Sequence, residues 1–133
     1  MNDGTADELI ALNHRLLRAI MERDYQTYVE LCDPTLTAFE PEAAGHLVEG
    51  LAFHAFYFVG KPARFEVTMA SPHVRVMADV AVVAYVRLNQ MEMTDGSFAT
   101  VAVEETRVWQ RQGGRWRHVH FHRSRPSPSA VSG

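Results

Sequence analysis

Apolar positions recur at helical spacing in the first part of the chain and at strand spacing throughout its second half. Leu9, Leu12, Leu16, Leu17 and Ile20 fall on one face of a 3.6-residue period, which predicts a helix over residues 6–22 with Arg15, Arg18 and Glu22 in water. Thr5-Ala6-Asp7-Glu8 in front of it has the spacing of a capping box. Asp24 is placed to cap a second, short helix bearing Tyr25, Tyr28, Val29 and Leu31. Asp33-Pro34 ends it, because proline pushes the preceding residue out of the α region. Two short extended pieces follow, residues 36–40 and 46–49. Residues 51–58 then predict a third helix that is apolar nearly all round, and such a helix must be covered by the core or by a partner.

From Ala63 onward the pattern is that of strands, over residues 64–77, 80–93, 97–112 and 115–124. Asp95-Gly96 and Gly113-Gly114 are hairpin dipeptides, and Pro72 marks a bend or an edge. Helices first and a strongly bent antiparallel sheet afterwards give an α+β domain. It is a single domain over residues 1–124. Residues 125–133 are small, polar and proline-bearing, so a disordered tail is expected there.

Strand alternation also carries charges inward. Glu105, Arg107 and Trp109 share one face of their strand, as do Val83, Tyr85 and Arg87 on the strand before and Val119, Phe121 and Arg123 on the strand after. If the sheet curls around the helices, three guanidiniums converge on one apolar-walled space. Each is a planar donor fork suited to a carboxylate or a phosphate. A second reading stays open: Glu105 and other acids neutralise the arginines as structural ion pairs.

His118, His120 and His122 alternate along one strand, which points three rings to one face. With no Cys or acid placed to complete a shell, no metal site is assigned. His54, on the apolar third helix, is either a satisfied core histidine or the acid/base group of an enzyme. Tyr57 and Tyr85 are the other catalytic candidates under that reading. Cys32 has no activating neighbour in sequence and reads as an inert buried thiol.

Composition removes several classes. A net charge of -3 argues against nucleic acid and anionic membranes as partners. No apolar run reaches the roughly 20 residues that span a bilayer. A single cysteine and no basic leader fit a cytoplasmic protein. No cofactor motif is present.

Long ordered stretches then resemble a known family. These are Leu31-Cys32-Asp33-Pro34, Leu36-Thr37-Ala38-Phe39-Glu40-Pro41-Glu42-Ala43, Leu47-Val48-Glu49-Gly50, Phe53-His54-Ala55-Phe56-Tyr57-Phe58, Glu104-Glu105-Thr106-Arg107-Val108-Trp109 and Val119-His120-Phe121-His122-Arg123-Ser124. Together they are similar to the association (hub) domain of calcium/calmodulin-dependent protein kinase II. The resemblance implies a nuclear transport factor two-like, ketosteroid-isomerase-like cone: a curved sheet wrapped around a long N-terminal helix. It implies non-catalytic self-association, as dimers built into stacked rings. It also implies a cationic pocket for γ-hydroxybutyrate-like short carboxylates or an acidic peptide, formed by His54, Arg87, Arg107 and Arg123, with Glu105 beside them. The chain shows no kinase domain and no basic amphipathic helix, so neither phosphotransfer nor calmodulin binding is expected of it. The connection Val59-Gly60-Lys61-Pro62 is shorter than the family's and lacks its tryptophan over the pocket mouth, a departure that bears on ring geometry and ligand gating. The alternative from the same superfamily is an enzyme acting on a small acidic or carbonyl substrate.

Overall fold

Leu9, Leu16 and Leu17 are fully buried on one face of helix α1 (Thr5–Met21), each contributing about 1.5–3 kcal/mol by leaving water. The computed structural model describes residues 4–126. The expected capping box is not the one that starts the helix: Gly4 is the N-cap, without a side-chain cap hydrogen bond, and Glu8 donates its backbone N–H to the Gly4 carbonyl at 2.9 Å as the first helical bond. Asp24 caps α2 (Tyr25–Leu31) as expected, its carboxylate accepting from the Thr27 backbone N–H at 3.1 Å.

Strand β1 (Cys32–Phe39) begins immediately after α2, so Asp33-Pro34 lies inside a strand. Pro34 has no N–H to offer, and the pairing of β1 is interrupted between Cys32 and Thr37. A single 3-10 turn, Pro41–Ala43, leads to the two-residue strand β2 (Val48–Glu49). The segment expected as a third helix is a 3-10 helix, Ala52–Phe58. It is not buried all round: His54 is its one buried side chain, while Phe53 and Phe56 are exposed.

The long strands are β3 (Phe65–Met77), β4 (Val80–Glu92), β5 (Phe98–Gln112) and β6 (Arg115–Ser124). One six-stranded sheet runs β2-β1-β6-β5-β4-β3, antiparallel except where β1 lies parallel to β6. The sheet is therefore mostly rather than wholly antiparallel. Pro72 marks both an edge and a bend, since β3 is the outer strand and its register slips between Ala70 and His73.

Helix α1 packs on β3, and the core between helices and sheet holds Leu9, Leu16, Leu17, Val67, Val83, Trp109 and Trp116. Asn13 is buried there too. Its side-chain oxygen accepts the Trp109 indole N–H at 3.0 Å, so the polar atom costs little. A smaller cluster of Leu36, Ala38, Ala43, Val48 and Phe121 closes the other end. No helix among the described residues is long and apolar enough to cross a membrane.

Candidate functional site

Between the end of α1, the 3-10 helix and the inner face of the sheet lies a cavity of about 250 Å³. Ile20, Met21, Tyr28, Phe58, Met91 and Phe121 supply its apolar walls. His54, Arg87, Arg107 and Arg123 all line it, so the structure brings together the arginines and the histidine singled out in the sequence. Arg23 and Tyr57 line it as well. Glu105 and Tyr85 stand beside these residues as their hydrogen-bond partners.

Alternation explains the inner arginines. Val83, Tyr85 and Arg87 on β4, and Glu105, Arg107 and Trp109 on β5, all face inward and are buried. Glu105 binds both guanidiniums, accepting from Arg87 Nη1 at 3.0 Å and Arg107 Nη2 at 3.1 Å. The Tyr85 hydroxyl donates to the same carboxylate and accepts from Arg107 Nε at 3.0 Å. Burial pushes the Glu105 carboxyl up, but Arg107, Arg87 and Tyr85 outweigh it and hold the group well below the usual carboxylate range. Arg107 also stacks over the Phe121 ring, its guanidinium carbon 4.3 Å from the centroid. Arg87 spends Nε on Asn89, at 3.0 Å.

Strand β6 departs from simple alternation. Its register with β5 slips between Val108 and Trp109, which pair with His120 and His118. The slip turns His118 inward with Trp116 and Phe121, leaving His120 half-buried and His122 exposed. The three histidines therefore do not share a face, and Val119 does not take the buried place expected for it. Among the described residues, no group of three His, Cys, Asp or Glu side chains could hold a metal ion.

His118 Nε2 lies 3.4 Å from Arg107 Nη1, and its Nδ1 lies 3.4 Å from Cys32 Sγ. Arginine only donates, so Nε2 accepts and the ring proton sits on Nδ1. Burial, then Arg107, pushes His118 well below the usual histidine range. Burial likewise lifts the Cys32 thiol to about 12, so Cys32 is inert.

The outer half of the site rests on two acids not singled out as site residues in the sequence. Glu40 accepts from His54 Nε2 at 2.8 Å, and the other ring nitrogen of His54 lies 3.3 Å from the Tyr28 hydroxyl. The carboxylate only accepts, so Nε2 carries a proton. Glu42 pairs with Arg123, and the Tyr57 hydroxyl bonds Glu40, Glu42 and Arg123. Glu40 was legible in principle: Leu36, Ala38 and Glu40 fall on one face of a strand whose other two members are fully buried. Burial raises the Glu40 carboxyl, but hydrogen bonds from His54 and Tyr57 and the charge of Arg123 bring it below its ordinary value.

The three catalytic candidates are all held by hydrogen bonds. Both ring nitrogens of His54 are occupied, and Tyr57 and Tyr85 are each pushed above the usual tyrosine range by burial first and by neighbouring carboxylates. What the cavity does offer is donors: four guanidiniums line it against the three carboxylates Glu40, Glu42 and Glu105.

A curved sheet closed on a long helix, with a site in its hollow, is the cone of the nuclear transport factor two-like proteins. A protein of that superfamily from Salmonella enterica has the same fold, with a TM-score of 0.77, 22% identity and 95% of this chain covered. Within that class the family is specific. The model of the calcium/calmodulin dependent protein kinase II association domain matches residues 5–127, and the chain belongs to that family. The association domain of the C. elegans kinase superposes with a TM-score of 0.88 and 42% identity, over 91% of this chain and 95% of that one. The hub homology domain from Chlamydomonas reinhardtii is 51% identical, with a TM-score of 0.85, over 92% and 98%. The Drosophila melanogaster kinase type II alpha chain is 46% identical over 122 residues, 88% of this chain. This chain spans 23% of the length of that relative.

Proposed function

We propose that the chain is a self-associating hub of homodimers built into a ring, and that its cavity binds a small carboxylate or the acidic side chain of a peptide. Membership of an association-domain family supports the first half. Exposed aromatic side chains, Phe39, Phe53 and Phe56, offer the apolar area that contact between copies would cover.

One observation carries the reading of the pocket: guanidiniums outnumber carboxylates around an apolar-walled space of about 250 Å³. Glu105 satisfies the inner pair only in part. Arg87 and Arg107 each carry five N–H donors, more than Glu105, Tyr85, Asn89, His118 and the Met21 sulfur take up. A short carboxylate entering the cavity meets charged donors at one end and Ile20, Phe58 and Met91 along its alkyl chain. The single buried cysteine suits work in a reducing cytoplasm.

Calorimetric titration with butyrate and with butyramide tests the pocket. Butyrate should bind and butyramide, the same shape without charge, should not. Arg87→Gln, which removes donors the carboxylate would meet, should weaken butyrate by about tenfold, the worth of one charge-assisted hydrogen bond. Equal binding of acid and amide would sink the anion reading.

A further inference from the structure

Arg23 stands where a helix of this geometry ordinarily ends on glycine. Helix α1 closes with paired end bonds: the Asp24 N–H reaches the Ala19 carbonyl at 2.8 Å and the Arg23 N–H reaches the Ile20 carbonyl at 3.2 Å. That pattern puts the residue between in the left-handed region, and Arg23 has φ 64°. A side chain with a Cβ is strained there, and such strain marks positions where the side chain itself is wanted.

The Arg23 side chain lines the cavity with the other three arginines. They differ in one respect. Arg87 and Arg107 are paired with Glu105 and Arg123 with Glu42, while Arg23 has no carboxylate partner among the described residues. Its Nη1 donates to the Ile20 carbonyl at 3.3 Å, and its Nε is buried with no hydrogen-bond partner. An orphaned buried donor on a guanidinium is a cost that an incoming acceptor removes.

We propose that Arg23 is a second anion contact, and that the pocket's ligand is a short aliphatic dicarboxylate, or a compound with an equivalent second acidic group. One carboxylate sits on the inner Arg87–Arg107 donors and the other on Arg23, with the alkyl segment against Ile20, Met21 and Phe58. The inference rests on the pocket binding carboxylates at all, and deepens that reading by naming the ligand class. Arg23 sets specificity; the inner arginines set affinity for the first anion.

Titrating the full chain with butyrate, succinate and glutarate, as wild type and as Arg23→Gly, separates the claims. Glycine removes the guanidinium and also relieves the left-handed backbone, so the variant should melt no lower than wild type. Arg23→Asn, which tolerates the same conformation, serves as a second variant. The better diacid should bind wild type about tenfold more tightly than butyrate, as one added charge-assisted contact requires. In both variants that preference should fall to within about twofold, because the diacid loses more affinity than butyrate does. Butyrate binding without a diacid preference, or a preference that survives both variants, overturns the role of Arg23 and leaves the pocket reading standing. No binding of any acid overturns both.

Discussion

Glu105 carries more of the site than any other single residue. It is 3% exposed and is the carboxylate partner of two buried guanidiniums, so removing its charge strands both. Glu105→Gln should cost about 3–5 kcal/mol of stability, the usual penalty for leaving a buried charge unpaired. Urea denaturation would measure it, and a loss below about 1 kcal/mol would show that the arginines find other partners. The pH dependence has a definite sign. A carboxyl held below its ordinary value stabilises the fold above the unfolded pKa and loses that contribution as pH falls. Stability from Glu105, and from Glu40 with it, should be intact near neutrality and drain away below about pH 4.5. Arg23 shows the other face of residue-scale reasoning: a charged side chain at a glycine position is legible as odd from sequence only once the helix end is placed to the residue.

Among the elements, β6 holds the most instructive departure. Alternation placed Tyr85 and Arg87 on β4 and Glu105 and Arg107 on β5 correctly, because those two strands pair in unbroken register from Val80 to Glu92. On β6 a one-residue slip swaps His118 for Val119, and no turn residue or glycine announces it. The consequence is a histidine buried neutral against Arg107 and Cys32. For a histidine pushed down, the unfolded chain takes up a proton first, so stability falls as pH drops below the ordinary value of 6.5. Thermal melts between about pH 7 and 5 should therefore slope downward, and His118→Gln should flatten that slope while leaving the carboxylate-driven loss at lower pH. An unchanged slope would assign it to other groups. The 3-10 helix Ala52–Phe58 was misread for a related reason. Its run of aromatics gives hydrophobicity without period, and its buried residue is the polar His54, held by Glu40 and Tyr28.

At the scale of the whole molecule, the fold was legible because helix period and strand period occupy separate halves of the chain. The site was legible where it lies on regular strands. It was not at Glu42 and Arg23, which come from a turn and a helix end, since no periodicity links either to the strands. Self-association belongs to this scale as well. The most direct measurement is the mass of the protein in solution at micromolar concentration, by size-exclusion chromatography with light scattering. A self-associating hub predicts a discrete species at a large even multiple of 15.0 kDa, built from dimers. A monodisperse 15.0 kDa monomer would contradict it.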